Sequence, residues 1–94
     1  MVRLAILGFG LIGGSVARAL AARDPGGWHV TAWSRSPASL GRALDDGVLA
    51  SAAEDPIAAA RDADVVLLAA SPPANVALVE RVGPAVAERG ALLT

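Results

Sequence analysis

The chain has 94 residues, 54% of them hydrophobic, and a net charge of −1 at pH 7. That allows one domain around one core and supplies no basic stripe for nucleic acid. No cysteine and a single histidine exclude disulfides, thiolate metal sites and imidazole clusters, so no metal ligand set is expected.

The lack of cysteine leads to the expectation of a cytoplasmic protein, and Met1–Leu7 is too short an apolar run for a signal segment or a membrane span. Val2–Leu7, interrupted only by Arg3, has the pattern of a strand buried on both faces of a parallel sheet. Leu11–Arg23 follows with apolar residues at Leu11, Ile12, Val16, Ala19 and Leu20, a helical spacing that Asp24-Pro25-Gly26-Gly27 ends. His29–Trp33 reads as a second strand. Ser36 then reads as an N-cap with Pro37 at the first helical position, opening a helix to about Asp46. Val48–Ala52 reads as a short third strand, and Asp55 starts a short helix over Pro56–Arg61. "VVLLAA", ending at Ala70, is the most strand-like run in the chain, and Ser71-Pro72-Pro73 stops it. Asn75–Val82 reads as a helix that Gly83-Pro84 breaks, a last turn reaches Arg89, and Gly90–Thr94 begins a fifth strand. Strands alternating with helices predict an α/β fold, a Rossmann-type parallel sheet in the order 3-2-1-4-5. The chain stops inside the fifth strand, and a piece of a larger protein is expected.

Four glycines, Gly8, Gly10, Gly13 and Gly14, crowd the junction between the first strand and its helix. The spacing Gly8-x-Gly10-x-x-Gly13 in that position is a dinucleotide-binding fingerprint. Gly8 serves the tight turn, Gly10 admits a pyrophosphate against the main chain, and Gly13 lets helix and strand pack closely. Leu11 and Ile12 offer backbone amides at the helix start. FAD and S-adenosylmethionine folds use similar turns, so the cofactor must be read elsewhere. At the end of the second strand, where an acidic residue suits the ribose of NAD, stand Ser34, Arg35 and Ser36. A hydroxyl and a guanidinium suit a 2′-phosphate, which favours NADP over NAD. Ala70, Ser71 and Pro72 end the fourth strand beside the crevice and are expected to line the wall near the nicotinamide ribose. Asn75 reads as a first-turn helix residue, Trp33 as a neighbour of the adenosine pocket, and His29 as remote from the crevice. No residue offers itself as nucleophile, general base or metal ligand.

"GFGLIGGS", "WSRSP", "ARDADVVLLAASPP" and "VGPAVAERGALLT" together resemble the amino-terminal domain of prephenate/arogenate dehydrogenases, the oxidoreductases of tyrosine biosynthesis. The resemblance covers essentially the whole chain. Gly13-Gly14-Ser15 is its most specific element, and the remainder fits the wider 6-phosphogluconate-dehydrogenase-like group. It implies an enzyme that takes a hydride from a cyclohexadienol while carbon dioxide leaves, with a small-molecule substrate and a homodimeric assembly. It also implies that residues 1–94 form the dinucleotide-binding domain and that the catalytic histidine and the helical dimerisation domain lie outside it, leaving this chain inactive alone. Ser34 departs from the acid often found there in that family, which again supports NADP. Two rivals remain open: the cofactor domain of a related reductase, such as a pyrroline-5-carboxylate reductase or β-hydroxyacid dehydrogenase, and a nucleotide-sensing module without chemistry.

Overall fold

In a computed structural model, which describes all residues from Met1 to Thr94, strand β1 (Val2–Leu7) occupies the centre of the sheet. Its alternation decides that placement. Leu4 and Ile6 enter one core and Ala5 and Leu7 enter another, so both faces must be covered. Helix α1 (Leu11–Arg23) and helix α2 (Ala38–Asp45) cover the first face, where Ala17, Leu40 and Ala43 are buried with Leu4 and Ile6. Helix α3 (Pro56–Ala60) and helix α4 (Pro72–Arg89) cover the second, where Ala59, Ala60, Leu78, Val82 and Val86 meet Ala5 and Leu7.

Strands β2 (Trp28–Trp33), β3 (Ser51–Ala52), β4 (Val65–Leu68) and β5 (Leu92–Leu93) complete a five-stranded sheet in the order β3-β2-β1-β4-β5. Every pairing is parallel, with Val2 opposite Trp28 and Leu4 opposite Val65. This is the expected Rossmann-type topology. Because the chain steps from β1 out to β3 and then returns to β4, a crevice opens above the carboxyl ends of β1, β2 and β4.

Several boundaries differ from the sequence expectation. β2 begins one residue early, at Trp28, because Val2 pairs with it. β3 is confined to Ser51 and Ala52, since Val48 and Leu49 are occupied in ending α2. Gly47 takes φ +73, its N–H donates to the Leu44 carbonyl and that of Val48 donates to the Ala43 carbonyl at 2.9 Å. That is a Schellman termination, and it buries Leu49 in the core rather than in a ladder. Ser36 is not the cap of α2: Pro37 holds the N-cap position with helical dihedrals, and no side chain caps the helix. β4 ends at Leu68, which places Ala70 and Ser71 in a loop and Pro72 in the first turn of α4 rather than in the strand. Finally, Gly83-Pro84 does not break α4. Leu78, Val82 and Val86 bury one continuous stripe of it, while Pro84 lies on the exposed face where water can serve the Glu80 carbonyl it leaves unbonded.

Candidate functional site

The glycine loop is shaped by close backbone approach. Gly8 takes φ +99, and a Cβ there would stand 2.7 Å from the Ala70 nitrogen and 2.8 Å from its Cα. Only glycine satisfies both constraints. Its own N–H donates to the Trp33 carbonyl at 2.8 Å, and the Ala69 N–H donates to the Leu7 carbonyl at 2.9 Å, which ties the ends of β1, β2 and β4 together. A Cβ on Gly13 would meet the Gly8 carbonyl oxygen at 2.5 Å and Ile6 Cγ2 at 3.0 Å, so that glycine faces inward and lets α1 lie close on β1. Gly10 is the opposite case. Nothing stands within 4 Å of a Cβ built there, so its main chain is open to an approaching group.

Gly10 is also the N-cap of α1, and it brings no side-chain acceptor. The helix ladder starts with the Gly14 N–H on the Gly10 carbonyl at 2.9 Å, ahead of which stand the N–H groups of Leu11, Ile12 and Gly13. No acidic residue occupies the first turn, so the positive end of the helix dipole is not neutralised by the chain. Ser15 turns back to donate to the Leu11 carbonyl at 2.7 Å. Leu11 is 88% and Ile12 67% exposed, which leaves two large apolar side chains in solvent at the mouth of the loop.

Beside this loop lies a cavity of about 500 Å³. Gly8, Phe9 and Gly10 border it from the loop, Trp33, Ser34 and Arg35 from the end of β2, and Ala69, Ala70 and Ser71 from the end of β4. Ala74, Ala77, Leu78 and Arg81 of α4 form its remaining wall, and no Asp or Glu lines it. Of the residues expected from sequence, the cavity thus brings together Gly8, Gly10, Ser34, Arg35, Ala70 and Ser71. Leu11 and Ile12 stand at the helix start outside its lining, Gly13 is buried beneath it, and Pro72 opens α4. Ser36 is also outside the lining; its N–H donates to Ser34 Oγ at 3.2 Å and thereby holds the turn after β2.

Sequence reasoning missed two features. Asn75 clamps the wall after β4, its Oδ1 accepting from the Ala70 N–H at 3.0 Å, while its own N–H donates to the Ser71 carbonyl at 2.8 Å. Arg81 reaches the same cavity from a helix far along the chain, and its only signal is the helical spacing from Ala74 and Ala77. His29 is remote as expected, bordering a smaller cavity at the amino edge of the sheet with Arg3, Thr31 and Asp62. At that edge Asp64 accepts from the Arg3 N–H at 2.9 Å and pairs with the Arg89 guanidinium at 3.0 Å. The Arg3 backbone bond, seconded by Arg89, holds the Asp64 carboxyl below its ordinary value.

The donor set fits an anionic dinucleotide: free N–H groups and an unobstructed glycine for a pyrophosphate, an apolar cavity for a base, and cations at its rim. No three acidic or histidine residues gather closely enough to hold a metal ion, and no helix is long and apolar enough to cross a membrane.

Comparisons with known proteins agree with this fold. Residues 3–93 match the model of the family described as NADP oxidoreductase, coenzyme F420-dependent. A comparison with curated proteins finds no match. An imine reductase from Streptomyces aurantiacus is 30% identical, with a TM-score of 0.74 over 97% of this chain and 30% of that one. Prephenate dehydrogenase from A. aeolicus, solved with hydroxyphenyl propionate and NAD+, is 26% identical with a TM-score of 0.67, over 100% of this chain and 30% of that one. Pyrroline carboxylate reductase from Plasmodium falciparum, solved with NADP bound, is 17% identical and shares the fold, with a TM-score of 0.77 over 98% of this chain and 32% of that one. The chain spans about a third of the length of these structures. With fold, glycine loop and family match in accord over nearly every residue, the chain belongs to the F420-dependent NADP oxidoreductase family and is a nicotinamide-dinucleotide-binding Rossmann domain.

Proposed function

We propose that this chain binds NADP(H) in preference to NAD(H) and serves as the cofactor domain of a prephenate or arogenate dehydrogenase, not competent for catalysis alone. One observation carries the cofactor preference: Ser34 and Arg35 border the same cavity as Gly8 and Gly10, and no carboxylate lines it. An acidic residue at the end of β2 would repel a 2′-phosphate; a guanidinium there can meet it with charge-assisted hydrogen bonds. Gly10 and the amides of Leu11 and Ile12 hold the pyrophosphate, Ser34, Arg35 and Ser36 the adenosine end, and Ala70, Ser71 and Pro72 the wall near the nicotinamide ribose. The dinucleotide supplies the hydride chemistry, and these residues bind and orient it. On this reading the enzyme is homodimeric, as the sequence resemblance implies, and cytoplasmic, in keeping with a chain without cysteine.

Calorimetric titration with NADP+ and NAD+ tests the preference. Wild-type protein is expected to bind NADP+ at least about tenfold more tightly, and Arg35→Asp to reverse that order. Equal binding of the two by wild type refutes the reading. A second reading, the cofactor domain of a reductase acting on carbon–nitrogen double bonds, is favoured by the 30% identity to an imine reductase. Assaying a larger protein that carries this chain for NADPH formation with prephenate or arogenate, and for NADPH consumption with a cyclic imine, separates the two.

A further inference from the structure

We propose that Arg81 is a second reader of the phosphate on the adenosine ribose, meeting it from α4 while Arg35 meets it from the end of β2. The inference rests on the dinucleotide reading above. Helix α4 turns one stripe to the crevice, Ala74, Ala77, Leu78 and Arg81, at the i, i+3, i+4, i+7 spacing of a single helical face. The two alanines carry no side chain beyond a methyl, which leaves width for a flat base along that wall. Arg81 ends the stripe with a guanidinium.

Arg35 and Arg81 border one cavity, and neither has a carboxylate partner, because the two ion pairs of the chain use Arg18 with Asp46 and Arg89 with Asp64. Glu88 shares a neighbouring groove with Arg81 but does not stand within ion-pair distance of it. An anion bound in this cavity meets positive charge both from the end of β2 and from α4, with no carboxylate of the lining to oppose it. A phosphate monoester, with close to two negative charges and three acceptor oxygens, matches two guanidinium forks. The pyrophosphate has its own donors at Gly10 and the start of α1, so it does not compete for this pair.

The test is calorimetric titration of the full chain with four probes: NADP+, NAD+, adenosine 2′,5′-bisphosphate and ADP. Arg81→Ala is expected to weaken NADP+ and the bisphosphate about tenfold and to leave NAD+ and ADP unchanged, with Arg81→Lys recovering part of the loss. Arg81 is exposed and belongs to neither core, so both variants are expected to keep the wild-type circular dichroism and unfolding midpoint. Wild-type preference for NADP+ that survives Arg81→Ala overturns this inference alone. A loss shared equally by all four probes overturns it as well, since that is a contact with the base or the wall. Equal wild-type binding of NADP+ and NAD+ overturns both this inference and the cofactor reading.

Discussion

The two edges of this sheet are built from the same kinds of residue and treat their polar groups in opposite ways. At the amino edge Asp64 accepts from the Arg3 N–H and from Arg89, and the Arg89 Nε donates to the Ala63 carbonyl at 2.8 Å, so charge and backbone are paired within the chain. At the carboxyl edge the first amides of α1 have no cap, and Arg35 and Arg81 have no carboxylate. The amino edge is not wholly closed, since Arg3 and Asp62 border a cavity there outside either ion pair, but only the carboxyl edge combines an uncapped helix start with a cavity that no carboxylate lines. The glycine fingerprint marks the carboxyl edge in the sequence, but the pairing of Asp64 with Arg3 and Arg89 at the other edge is not visible there, since arginines and aspartates are spread over both halves of the chain.

Three substitutions break or sharpen this contrast. The largest effect is expected from Gly8→Ala, which puts a methyl against the Ala70 backbone and imposes φ +99 on an alanine. It should lower unfolding stability by about 3 kcal/mol or more in urea titrations, and a change below about 1 kcal/mol would refute the close-approach account. Gly10→Ala probes the same loop where nothing crowds a Cβ. As the N-cap of α1 it should lose only about 1 kcal/mol of stability, well short of Gly8→Ala, while on the proposed reading NADP+ affinity falls about tenfold or more, because the methyl occupies the space a pyrophosphate needs. Folding and binding thereby separate between two glycines two residues apart.

The smallest effect belongs to the amino edge. The Asp64 carboxyl is held below its ordinary value of 3.8 by the Arg3 backbone bond and then by Arg89. A carboxyl depressed in the folded state stabilises fully above the unfolded value and loses that contribution as pH falls below it. Asp64→Asn should therefore have a slightly lower urea midpoint than wild type at neutral pH, with the gap narrowing as pH drops below 3.8. A gap independent of pH would show that shape, not charge, makes the contact.

The strand order was legible because alternation of apolar runs with helical spacing leaves few parallel topologies open, and Gly8-x-Gly10-x-x-Gly13 located the crevice. Element ends were less legible. Gly83-Pro84 reads as a break when only local preference is weighed, whereas the buried stripe Leu78-Val82-Val86 carries α4 through it. Val48 and Leu49 are apolar and Val48 is β-branched, which suits a strand, but the Gly47 termination of α2 claims their backbone first. The β2 side of the cavity was visible in Ser34 and Arg35 because the fingerprint fixes where to look. Arg81 was not, because its place in the cavity depends on how α4 lies across the sheet, which no local pattern records.

The central position of β1 also carries a kinetic meaning. The buried members of the core on its first face all lie between Leu4 and Leu49, with Val65, Leu67 and Ala69 packed against them from the side of β4, whereas the core on its second face needs Ala5 and Leu7 together with residues from Ala59 to Val86. β1 meets β2 across the interval from Val2 to Trp28 and β4 across that from Leu4 to Val65, more than double the span. Each doubling adds about 0.6 kcal/mol to the entropy of loop closure. The amino-terminal half is thus favoured to assemble first, with the bare side of β1 as the template on which the second half docks.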